Sequence, residues 1–122
     1  MIITLPWPPS MNHYWRRVGN QTIISAAGRI YRDRVVALAQ FAMLQARCRT
    51  LTGRAAVVIE AFPPDLRRRD LDNLLKPLLD ALQHARCYWD DSQIDDLHVR
   101  RKPPERPAGK IIVTIEDLDL EN

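Results

Sequence analysis

Cysteine is scarce, and its spacing carries no signature. Cys48 and Cys87 stand alone, with no C-x-x-C pattern, so neither a zinc site nor a disulfide framework is indicated. Two reduced, partly buried thiols of a cytosolic protein are the plain reading. Histidine is equally thin, and His13, His84 and His98 share no metal-ligand spacing. No segment approaches the ~20 apolar residues of a membrane span, so no membrane partner is expected. Met1-Ile2-Ile3-Thr4-Leu5-Pro6 has no basic leading region and no long apolar run. A signal peptide is therefore not expected, and the location is read as cytoplasmic. Repeats, low-complexity segments and linkers are also missing, which leaves residues 1–122 as one domain with a modest core.

Arginine is abundant. Net charge is +3, and 15 of the 18 basic residues are arginine. Its planar fork grips phosphate and stacks on bases, so the bias suits nucleic acid better than a generic solvated surface. Most of the nine prolines sit in pairs (Pro8-Pro9, Pro63-Pro64, Pro103-Pro104) that mark element ends.

Ile2 to Leu5 reads as a short strand that Pro6 ends. Residues 10 to 24 carry Asn12, Tyr14, Trp15, Arg16, Arg17, Gly19 and Asn20, an irregular or hairpin-like arm rich in phosphate and base binders. Ser25 is a candidate N-cap for a helix from about Ala26 to Arg47, whose apolar face is read as Ile30, Val35, Leu38, Phe41, Ala42 and Leu44. Ala55 to Phe62 is β-branched enough for a central strand. Leu71, Leu74, Leu75, Leu78, Leu79 and Leu82 recur at helical spacing and predict an amphipathic helix. Pro77 falls inside it without an amide proton for the Asn73 carbonyl, which predicts a kink. Leu97 to Lys102 reads as a strand with a basic solvent face, and Lys110 to Glu116 as the last strand. The fold class is α+β: a small mixed or antiparallel sheet of about four strands covered by two helices.

The chemistry concentrates in Arg67-Arg68-Arg69-Asp70-Leu71-Asp72-Asn73-Leu74-Leu75-Lys76, followed by Asp90-Asp91. Carboxylates repel a phosphate backbone, so placing them inside a basic patch makes sense when a divalent cation sits between them. Asp70 and Asp72 would lie about 200° apart on a helix but share a face in an extended segment. Co-ligation therefore requires Asp70 at or before the helix start, where it would serve as N-cap and stay ionised. Lys76 lies four residues after Asp72 and four before Asp80, so an ordinary salt bridge competes with a role at the phosphate. Asp90, Asp91, Asp95 and Asp96 add a third metal ligand, and the sequence does not say which of them ligates. An EF-hand is excluded by spacing and by the missing glycine.

The chain resembles the RusA-type Holliday junction resolvases, endodeoxyribonucleases of phages and prophages. The likeness runs from Leu5-Pro6-Trp7-Pro8-Pro9-Ser10 through Asn12, Tyr14, Arg16, Ser25 and Tyr31-Arg32. It continues in Pro64-Asp65, Arg67 to Asn73, Lys76, Asp80-Ala81-Leu82 and Trp89-Asp90-Asp91. The D-x-D-N-x-x-K pattern followed by paired aspartates is its specific part. The resemblance implies Asp70, Asp72 and Asp91 as essential acids, Asp90 contributing to the metal, and Lys76 assisting catalysis. It further implies Mg²⁺ or Mn²⁺, a homodimer, a preference for a CC dinucleotide, and paired nicking of four-way DNA junctions in recombination and repair.

On this reading Arg67, Arg68, Arg69, Asn73, Arg16 and Lys76 contact DNA. The carboxylates of Asp70, Asp72 and Asp91 should converge to the ~4–5 Å between oxygens that share a divalent ion. A non-catalytic junction-binding module with solvated acids is the rival reading; a small metal-dependent RNase would keep the cluster and change the substrate.

Overall fold

The computed structural model describes residues 1–119. β1 (Ile2–Leu5) buries Ile3 and Leu5 and stops at Pro6. A single helical turn, α1 (Met11–Tyr14), follows; the Ser10 carbonyl accepts from the amides of His13 and Tyr14. The arm is a true hairpin, β2 (Trp15–Val18) against β3 (Gln21–Ile24). Gly19 supplies the positive φ, +60°, that its two-residue turn needs.

Ser25 caps α2 (Ala26–Ala46) as expected, its Oγ accepting from the Gly28 amide at 2.9 Å. The buried face of α2 corrects the expected one. Gly28, Tyr31, Val35 and Ala39 are buried, whereas Ile30, Phe41 and Leu44 are exposed and Leu38 largely so. Fit decides this. A Cβ on Gly28 would run into the Tyr14 carbonyl oxygen, so the glycine lets α2 approach the arm closely. Tyr31 reaches down to donate to the Pro6 carbonyl at 2.9 Å.

β4 (Ala55–Phe62) alternates, with Ala55, Val57, Ile59 and Ala61 all fully buried. α3 (Asp72–His84) then descends antiparallel to it, followed by a 3₁₀ turn (Asp91–Gln93), β5 (Ile94–Arg101) and β6 (Lys110–Asp117). The four-stranded sheet has the order β1-β6-β4-β5; only the β4–β5 pair is parallel, with α3 as its crossover. α2 and α3 cover the face bearing Ile3, Leu5, Val57, Ile59, Ile111 and Val113, and the expected α+β layer pair is present.

Two further expectations change. Asp70 does not cap α3 with its side chain; Leu71 holds the cap position, no side chain bonds there, and the backbone carbonyls of Asp70 and Leu71 accept from the Asn73 and Leu74 amides. α3 continues across Pro77, as expected of a helix that contains it, and the buried ring joins Leu74, Leu78, Ala81 and Leu82 in the core. β5 is a largely exposed edge strand: Leu97, opposite the basic His98 and Arg100, is exposed as well, and of its residues Ile94 and Val99 pack partly against the core.

Candidate functional site

Asp70 ends the irregular segment before α3, and Asp72 opens the helix. Both carboxylates are exposed, and Asp72 sits in the first turn, where the helix dipole favours negative charge. Among the described residues neither makes an ion pair, although three arginines precede them in the chain. Lys76 lies exposed one turn along α3. The salt bridge to Asp72 or Asp80 that would have explained it is not formed. Asp80 instead accepts from the buried Tyr14 hydroxyl at 2.7 Å, a bond that ties α1 to α3.

Beside Asp70 opens a cleft of about 660 Å³ between the N-terminal segment and the Arg67–Asp70 loop. Trp7, Ser10, His13 and Asn73 line it, with Arg67, Arg68 and Arg69 at its side. The three arginines are not equivalent. Arg67 is 84% exposed, and Arg68 is exposed too. Arg69 donates to Asp65 Oδ1 at 2.5 Å and lies over the Trp7 ring, 5.8 Å from its centroid. That guanidinium, together with the Arg67 amide, holds the Asp65 carboxyl down at about 2. Arg101 at the end of β5 donates to the Arg69 carbonyl at 2.6 Å and anchors the same loop. Arg16 stands exposed on the β2–β3 hairpin.

The second acidic run sorts itself by hydrogen bonding. Asp90 Oδ1 accepts from the Ser92 amide at 2.8 Å and caps the 3₁₀ turn, which lowers its pKa. Asp95 is paired with Arg54 and is likewise lowered by it, and Asp96 is paired with His98. Only Asp91 has a carboxylate without a cation or a capping task; its amide donates to Gln83 Oε1 at 2.9 Å. Gln93 anchors the run. Its Oε1 accepts from the Trp89 and Asp90 amides, and its Nε2 donates to the Leu51 and Gly53 carbonyls, so every site of the buried amide is satisfied.

Asp91 is not beside Asp70 and Asp72. It lies at the Gln83 end of α3, and eleven residues at 1.5 Å place that end about 16 Å from Asp72 along the axis. It also precedes β5, whose far end, Arg101, touches the Arg69 carbonyl. Among the described residues no three His, Cys, Asp or Glu side chains are grouped to hold a metal ion. The expected convergence of Asp70, Asp72 and Asp91 is therefore absent within one chain.

A family model described as "Endodeoxyribonuclease RusA" matches residues 6–116. The chain belongs to the RusA endodeoxyribonuclease family. Its relatives include the protein named "Crossover junction endodeoxyribonuclease RusA" from Shigella sonnei, 43% identical over 98% of this chain and 96% of the relative. The protein of the same name from Escherichia coli K12 is 42% identical over the same shares. The one from Enterobacteria phage HK97 is 43% identical over 94% of this chain and 92% of its own.

Within the RusA family frame, the donor chemistry of Asp70, Asp72 and Asp91 fits a hard divalent cation: carboxylate oxygens, exposed and free of competing cations. Their arrangement in a single chain does not. Sequence reasoning also passed over Trp7 as a cleft wall, Asp65 as the anchor of Arg69, and Gln93 as the hub of the acidic loop. Two of these were legible: Asp65 and Arg69 sit at i,i+4, and Asp90-Asp91-Ser92-Gln93 has the capping-box spacing.

Proposed function

We propose that this chain is a structure-specific endodeoxyribonuclease that resolves four-way (Holliday) DNA junctions by paired nicks on opposed strands, acting as a cytoplasmic homodimer with Mg²⁺, for which Mn²⁺ can substitute. The names of its relatives support the junction as substrate. The observation that carries the reading is the set of unpaired charges at one end of α3: Asp70, Asp72 and Lys76 next to the exposed Arg67 and Arg68. Asp70, Asp72 and Asp91 are the acids that would hold the divalent ion, which when bound would supply an activated water and neutralise charge on the scissile phosphate. Arg67, Arg68 and Arg16 bind phosphates; Lys76 offers its ammonium to charge developing on the leaving oxygen. Trp7, under Arg69, presents an aromatic surface to an unstacked base at the branch point.

The decisive experiment compares nicking of a synthetic four-way junction and a linear duplex, with Mg²⁺ and with chelator. Junction-selective, Mg²⁺-dependent cleavage that Asp70→Asn abolishes, with junction binding kept or tightened, is the expected result, since losing a carboxylate removes repulsion against phosphate. An Asp70→Asn protein that cleaves at the unmodified rate would leave only the binding-module reading.

A further inference from the structure

Trp89 is the exposed aromatic of the acidic run, and the backbone aims it beside Asp91. Asp90, between them, is extended, with φ −152° and ψ 137°. Residues flanking an extended position project from one face, roughly 7 Å apart along the chain. Trp89 and Asp91 therefore share a face, and Asp90, whose carboxylate caps the 3₁₀ turn, projects from the other. Neighbouring nucleotides of one DNA strand span such a separation.

The fold holds the backbone here and leaves the ring unused. The Trp89 amide donates to Gln93 Oε1 at 2.8 Å, and the adjacent Tyr88 is fully buried, yet the indole is 52% exposed. The Arg86 guanidinium lies over it, 5.1 Å from the ring centroid. Local rules do not explain that arginine. α3 ends in a Schellman motif, the Arg86 amide donating to the Gln83 carbonyl and the Cys87 amide to the Leu82 carbonyl. The left-handed residue of this motif is usually glycine; here Arg86 holds it, at φ +67°. Among the described residues Arg86 makes no ion pair, whereas Arg69, stacked on Trp7, is committed to Asp65.

An aromatic surface beside an uncommitted guanidinium matches a nucleotide, the base stacking and the phosphate taking the cation. An acidic peptide would engage the arginine and leave the ring idle; an apolar partner would bury the guanidinium unpaired. We infer that Trp89 and Arg86 form a subsite for one unstacked nucleotide of the DNA strand that reaches Asp91, the indole receiving the base and the guanidinium the adjoining phosphate. This rests on the nuclease reading for the course of the strand. Unstacking costs least where pairing is already broken, so the subsite favours a branch point over continuous duplex. Stacking tolerates any base, so it reads branch structure rather than sequence.

The test is binding in chelator, where nothing is cut. Synthetic four-way junctions carry one abasic residue at each position flanking the branch point in turn, and affinity is read by fluorescence anisotropy. For the unmodified protein, one position should lose about tenfold in affinity when its base is missing. Trp89→Leu should bind the intact junction about tenfold more weakly and be indifferent to that abasic position, since the two changes remove one contact. Trp89→Phe, which keeps an aromatic face, should recover most of the difference. Arg86→Gly isolates the cation: glycine suits a φ of +67°, so the variant should melt no lower than the unmodified protein. It should reduce the salt slope of junction affinity by about one unit. Unmodified affinity in Trp89→Leu, or an equal loss at every abasic position, overturns the base site. An unchanged salt slope in Arg86→Gly overturns the phosphate contact. Failure of the nuclease reading looks different: the unmodified protein cuts no junction in Mg²⁺, while the abasic pattern stands.

Discussion

Asp65 shapes the approach to the cleft without being able to touch its chemistry. It accepts from the Arg67 amide and from the Arg69 guanidinium, and so keeps Arg69 over Trp7. Its folded pKa, about 2, lies below the ordinary 3.8, so its stabilising contribution is complete above that ordinary value and is lost as pH falls toward 2. Thermal melts of Asp65→Asn and unmodified protein should differ at neutral pH and merge near pH 2; a gap that persists in acid would mean the ion pair is not its source. The arginines divide accordingly. Arg67→Ala and Arg68→Ala should each flatten the salt dependence of DNA affinity by roughly one unit of slope. Arg69→Ala should leave the slope nearly unchanged and disturb the cleft instead, because its charge is already spent on Asp65. Equal slope changes at all three would show that Arg69 leaves Asp65 when DNA binds.

At the scale of elements, α3 behaved as its leucine spacing predicts, because a wide apolar stripe leaves one way to bury it. Leu78 is fully buried, so Leu78→Ala should cost ~2–5 kcal/mol in denaturant melts. Leu75, only partly buried at the margin of the core, should cost less, and equal losses would contradict the orientation of the helix. α2 was misread because two stripes compete on it. Its larger apolar side chains, Ile30, Phe41 and Leu44, face solvent, and the smaller Gly28 and Ala39 face inward. Close approach is what the small residues allow, and no periodicity reports that. Gly28→Ala should destabilise the arm, since the added carbon meets the Tyr14 carbonyl; loss of the Ser25–Gly28 cap in amide exchange would register it.

For the molecule as a whole, a junction is resolved only when both opposed strands are cut, and each chain carries one set of acids. Heterodimers of unmodified and Asp70→Asn chains keep one complete site and should nick a single strand without releasing resolved duplexes. Supercoiled cruciform plasmid reports this as open circles without linear product; linear product would mean that one site cuts twice. The sequence by itself determined the chemical types and most elements: D-x-D-N-x-x-K, the arginine run, the α3 stripe, the strands, and Ser25 as cap. These are local, set by periodicity, turn residues and charge within a few positions. It could not determine which acids share a neighbourhood. Asp70 and Asp91 are separated by a parallel crossover, and the antiparallel descent of α3 carries the chain back to the start of β4 before Asp91 is reached. Distances across the sheet follow from how helix and strand pack, which belongs to tertiary structure alone. The same packing left β5 uncovered and Asp91 free while it committed Asp90, Asp95 and Asp96 to the fold.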